Sequence, residues 1–241
     1  MMTKIVIGNQ KTYMNFADVQ KFEKKFNDVD CSNTVICPSC IYISEYKNNS
    51  SFLVGAQNVS ASKNGATTGE ISAEQLKSIG CKYCLVGHSE RRKDQNEDSN
   101  IILEKIKRLL ENDIIPVLCI GESFEEKEND ITKDVVGKEI IEVFSGLDKT
   151  QIQKIIIAYE PIWSIGSGLI PKAEEIEEML SYIKDFVMEK YDSSVKVLYG
   201  GSVNKDNIQM LDEISVIDGY LIGGASAKAD EFLYIMRENS K

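Results

Sequence analysis

Residues 154–199, KIIIAYEPIWSIGSGLIPKAEEIEEMLSYIKDFVMEKYDSSVKVLY, hold two short apolar runs separated by a long amphipathic stretch. The first run, 154–160, lacks the alternation of a half-exposed strand, so it reads as a strand buried on both faces. Over 172–190, Ile176, Met179, Leu180, Ile183 and Val187 fall at helical spacing. Pro171 stands at the start of that helix and Glu174 and Glu175 in its first turn, where a fixed φ and the helix dipole favour them. The run at 195–199 repeats the first. Two buried strands joined by a crossover helix are the unit of a parallel α/β sheet.

The unit recurs in both directions. Runs rich in Val, Ile and Leu also occur at 4–8, 33–37, 53–56, 83–87, 114–120 and 217–222, which makes eight with the two above. Ile102, Ile106, Leu109 and Leu110 predict a helix over 97–111, and Phe232, Ile235 and Met236 a further one over 228–238. No linker rich in Pro, Gly or Ser interrupts the alternation, so residues 1–241 are expected to form one α/β domain. Eight units suggest a closed (β/α)8 barrel of parallel strands with outer helices, whose active site lies at the C-terminal ends of the strands. The polar residues that follow the runs are therefore the candidates for chemistry: Asn9, Lys11, Gln57, Asn58, His88, Gly121, Glu122, Glu160, Gly200 to Ser202 and Gly223 to Ser226.

Composition narrows the partners. A formal charge of −10 argues against nucleic acid and anionic membrane surfaces. No stretch approaches the roughly 18 apolar residues of a membrane span, and the opening MMTKIVIGNQ lacks signal-peptide features, so a cytoplasmic location is expected. Six cysteines include the pairs CPSC at 37–40 and CKYC at 81–84. The gap between the pairs is about twice that of a usual four-thiolate zinc site, so unpaired thiols are expected rather than metal or a redox centre.

GNQK at 8–11, GAQN at 55–58, TGEIS at 68–72, GHSERR at 87–92, YEPIWSIGSG at 159–168, YGGSV at 199–203 and GGAS at 223–226 together resemble the triosephosphate isomerase family, in the family's order. The resemblance implies an aldose–ketose isomerase that interconverts dihydroxyacetone phosphate and D-glyceraldehyde 3-phosphate through an enediolate, in glycolysis and gluconeogenesis. It implies no cofactor and no metal. Glu160 matches the base that moves the proton between carbons, a task that suits a carboxylate. His88, the one histidine of the chain, matches a neutral electrophile that the family keeps beside a helix N-terminus, an account taken from the family itself.

Asn9 and Lys11, read as neighbours on one face of the first strand, match residues that hold substrate and stabilise negative charge. Gly166, Ser202, Gly223 and Gly224 match the phosphate ligands, where glycine lets backbone N–H groups approach an anion. Residues 161–168 resemble a lid hinged by Pro161, Gly166 and Gly168, with Ile162, Trp163 and Ile165 as its apolar surface and Tyr199 and Ser202 as its hydroxyl partners. The loop 60–72 resembles the arm by which the family's subunits pair as homodimers, and Glu90 and Arg91 are expected to make supporting charge contacts. The chain departs from the family pattern at Gln10, Thr12, Thr67, Ser164, Ser167 and Leu169. Alternative readings are an isomerase of a four-carbon ketose phosphate and a catalytically idle barrel kept for binding.

Overall fold

The computed structural model describes residues 4–166 and 169–239. Its strands are β1 (Ile5–Asn9), β2 (Thr34–Cys37), β3 (Leu53–Ala56), β4 (Tyr83–Val86), β5 (Ile115–Ile120), β6 (Ile156–Tyr159), β7 (Lys196–Tyr199) and β8 (Gly219–Ile222). All neighbours pair in parallel and in chain order, and β8 returns to β1 through Ile5↔Gly219 to Gly8↔Ile222, which closes the barrel. The expected strands and the helices Ser99–Glu111, Ala173–Tyr191 and Ala229–Glu238 stand where the sequence puts them, within a few residues.

Strand alternation divides the apolar residues between two cores. Ile7, Val35, Cys37, Leu85, Val117, Cys119, Ala158, Leu198 and Leu221 fill the barrel's interior. Val6, Ile36, Val54, Cys84, Leu118, Ile157, Val197 and Tyr220 face outward, against the helices. Continuing each inward row by one step, the position two beyond Ile7, Ala158, Leu198 and Leu221 is Asn9, Glu160, Gly200 and Gly223. The same pleat that packs the interior thus aims these residues into the barrel's mouth.

All six cysteines are free thiols, and among the described residues no group of His, Cys, Asp or Glu is arranged to hold a metal ion.

Helix Phe16–Lys25 buries Val19 and Phe22, but also Glu23, whose Oε1 has no hydrogen-bond partner among the described residues. Burial, with the Glu45 carboxylate in support, raises the Glu23 carboxyl to about 7. Gln10 Oε1 is likewise buried without a hydrogen-bond partner among the described residues. A carboxyl whose folded pKa is raised favours the folded state below its unfolded value. That contribution disappears as pH rises through the folded pKa. Glu23 should therefore make the protein progressively less stable from about pH 4.5 to about pH 7. Urea unfolding at pH 5 and pH 8 is expected to show a smaller difference for Glu23→Gln than for the parent chain; an equal difference removes Glu23 as the cause.

Candidate functional site

Glu160 directly follows β6. Its backbone N–H donates to Ile120 O at 2.8 Å, and its side chain is only 5% exposed. Two glycines make room for it. A Cβ on Gly121 would sit 1.8 Å from Glu160 O, and one on Gly200 would lie 2.7 Å from Glu160 Cγ. Neither position admits a larger residue without moving the carboxylate.

His88 reaches the same place by a different route. Strand alternation alone would turn it with Val86 toward the helices, but Gly87 adopts φ +68°, a left-handed conformation that glycine tolerates. The chain swings back, and His88 becomes the N-cap of helix Ser89–Asp94. Its Nδ1 accepts the Glu90 N–H at 3.3 Å, so a neutral ring carries its proton on Nε2. Nε2 lies 3.5 Å from Glu160 Oε1.

Lys11 corrects the reading from sequence. β1 ends at Asn9, and Lys11 lies beyond it with φ +47°, so it shares no strand face with Asn9. A polar clasp holds the turn instead: Lys11 N–H donates to Asn9 Oδ1 at 3.1 Å, and Lys11 O accepts Ser39 Oγ and Gln57 Nε2. Lys11 Nζ reaches Glu90 Oε1 at 2.6 Å. Although burial acts to raise it, the Glu90 carboxyl is held below its ordinary value by Lys11 and, to a lesser degree, His88.

A cavity of about 350 Å³ brings together Asn9, Lys11, His88, Glu160, Gly166, Ser202, Gly223 and Gly224. Tyr13, Asn204, Leu221 and Lys228, which no motif pointed to, also line it. Gly223 leads into a single 3₁₀ turn, Gly224–Ala227. Gln57 and Asn58 serve the surroundings: Gln57 braces the Lys11 turn, and Asn58 accepts Lys105 Nζ at 2.7 Å. Arg91 pairs with Glu97 at 2.6 Å.

The segment after Glu160 is anchored rather than loose. Trp163 Nε1 donates to Glu122 Oε1 at 2.7 Å, the Tyr159 hydroxyl donates to Glu122 Oε2 at 3.0 Å, and Lys127 Nζ lies 3.8 Å from the centre of the Trp163 ring. Burial raises the Glu122 carboxyl against these hydrogen bonds. Of the three apolar residues expected to cover the site, only Ile165 faces the cavity; Trp163 is tied to Glu122. Ser167 and Gly168 lie outside the described residues. The Tyr199 hydroxyl sits beside Ser164 Oγ below Gly201, and this contact opposes the burial that raises the Tyr199 phenol. Cys119 adjoins the Glu160 carboxylate, and burial together with that charge pushes its thiol well above the ordinary value, which leaves it a poor nucleophile.

A parallel barrel with a carboxylate facing an imidazole nitrogen at the C-terminal ends of its strands defines an enzyme of the proton-transferring barrel class. Sequence comparison narrows the class. A family model described as triosephosphate isomerase matches residues 4–239. The chain belongs to the triosephosphate isomerase family, and is with it an isomerase of triose phosphates in glycolysis. Relatives of that name include those of Dictyoglomus thermophilum, 39% identical over 98% of this chain and 100% of theirs, and Dictyoglomus turgidum, 38% identical over the same shares. That of Alkaliphilus metalliredigens is 39% identical over 98% of this chain and 99% of its own.

Proposed function

We propose that Glu160 takes the proton from the carbon beside the substrate carbonyl and returns it to the neighbouring carbon, while His88 Nε2–H donates to the carbonyl oxygen. Glu160 holds the proton from the first carbon until it delivers it to the second. His88 gives its Nε2 proton to the first carbonyl oxygen and takes the hydroxyl proton from the other oxygen as the second carbonyl forms, so both groups end as they began. The reading rests above all on the 3.5 Å approach of His88 Nε2 to Glu160 Oε1 within one cavity. Asn9 and Lys11 hold the substrate oxygens and stabilise the enediolate. Lys11 exchanges its contact with Glu90 for the substrate, since a fixed cation in a dry site stabilises developing charge most.

Ser202, through its hydroxyl, and Gly166, Gly223 and Gly224, through backbone N–H groups, take the phosphate. The test of substrate class is kcat/KM for glyceraldehyde 3-phosphate against a four-carbon ketose phosphate. The triose phosphate is expected to win, and the reverse order would transfer the assignment to the larger sugar.

Residues 161–168 act as a lid in this reading. Gly166 has φ +68° and nothing within 4 Å of where a Cβ would sit, so conformation rather than space requires glycine. Gly166→Leu is expected to raise the share of substrate that loses inorganic phosphate from the exposed enediolate, measured as phosphate released per turnover. An unchanged share rejects the lid role.

The chain acts as a cytoplasmic homodimer in which the loop 60–72 of each copy enters the other. In support, most of this loop is exposed, and a cleft of about 440 Å³ beside Lys11 and His88 is lined by Thr12, Cys40, Glu70 and Gln95. Sedimentation of the intact chain measures this directly.

A further inference from the structure

A separate void of about 10 Å³, room for at most one water, touches Glu160 where Arg92, Cys119, Gly121 and Glu139 meet. Arg92 donates from Nε to Gly87 O at 2.7 Å and from Nη2 to Cys119 O at 3.2 Å. Its Nη1 lies 3.4 Å from Glu139 Oε1, and Glu139 Oε2 accepts the Gly121 N–H at 3.0 Å. Gly87 is the residue that turns His88 into the site, and Gly121 is the one pressed against the Glu160 backbone. One guanidinium and one carboxylate, both largely buried, therefore tie the strand end that carries His88 to the strand end that supports Glu160.

We propose that Arg92 and Glu139 are positioning residues for the acid–base couple, in which the pair fixes the His88–Glu160 geometry and Glu139 neutralises a guanidinium that would otherwise draw on the Glu160 charge. The inference rests on Glu160 being the base. Arginine suits the task because its planar fork reaches two carbonyls and a carboxylate at once. The charge has to be balanced because a cation near a carboxylate typically stabilises the ionised form by one to three pH units and so weakens it as a base.

The groups that face Glu160 are His88, Cys119, Arg92 and Glu139, with Lys11, Asp206, Lys228 and Glu231 around the same cavity. Those that face Glu139 are Arg92, Glu126 and Glu142. Burial raises the Glu139 carboxyl, and Arg92 and the Gly121 N–H oppose that.

The test uses D-glyceraldehyde, which carries no phosphate and so leaves protein groups to set the pH profile. Glu139→Gln keeps an acceptor for Gly121 but removes the negative charge. It is expected to move the acid limb of turnover down by about one pH unit and to lower kcat about tenfold, as a misplacement below 1 Å does. Adding Arg92→Met removes the stranded cation and should return the limb to its original pH with kcat still low. An acid limb unmoved in Glu139→Gln overturns the proposal, as does a shift that persists in the double variant, whatever either change does to stability. Glu160→Gln, run alongside, separates the two readings: if it stays active the base assignment fails, and if it is inactive while the limb does not move, only the positioning role fails.

Discussion

Glu160→Gln is expected to lower kcat for glyceraldehyde 3-phosphate by about 10²- to 10⁴-fold, the range that a general base contributes. Glutamine has nearly the same shape, so it fits the space that Gly121 and Gly200 leave and can keep a contact with His88. What it loses is the ability to take a proton from carbon. The loss should therefore fall on kcat, with KM almost unchanged, because the groups assigned to phosphate lie elsewhere around the cavity. A rise in KM at constant kcat would mean that Glu160 binds substrate without reacting, and the proton transfer would then need another base.

His88→Ala is expected to cost a similar factor for a different reason. In the proposed mechanism the imidazole presents an N–H to the substrate oxygen, since its other nitrogen accepts the Glu90 N–H. With His88 gone, Glu160 can still attack the carbon acid, but the enediolate oxygen receives no proton from the protein. The substitution also removes the N-cap of helix Ser89–Asp94, a loss worth about 0.5–2 kcal/mol of stability. His88→Asn separates the two effects, since asparagine caps helices well and is not an imidazole. Stability measured by urea unfolding should recover in His88→Asn, whereas turnover should remain low in both variants. Recovery of turnover along with stability would reduce His88 to a structural cap.

The eight strands could be read from sequence because each is a short apolar run with no helical period, and a strand buried on both faces leaves that signature in composition alone. The longer helices gave a 3.6-residue stripe, but several others are too short to do so. Ala73–Ser78, Phe124–Glu128 and Lys149–Ile152 begin instead with capping boxes, Ser72 with Gln75, Ser123 with Glu126 and Asp148 with Gln151. That spacing was present in the sequence and was the signal to use.

The site divides the same way. Asn9 and Glu160 follow from strand alternation, whereas Lys11 does not, since its left-handed turn is fixed by Ser39 and Gln57 from other strand ends. Arg92 stands inside a quoted motif, but its partner Glu139 belongs to a helix well along the chain that the pairing of β4 with β5 brings beside it. No local pattern carries such a contact.

The inward row of side chains has one further consequence for how this enzyme can change. Leu221 belongs to the barrel's packed interior and also lines the cavity, so the chamber's floor is the top course of the core. Hollowing that floor to admit a bulkier sugar leaves a void in tightly packed protein, at a cost of several kcal/mol for a leucine cut to alanine. Tyr13, Asn204 and Lys228 form the walls from loops and carry no such penalty. New substrate ranges in this scaffold should therefore arise from its rim, with the masonry beneath left as it is.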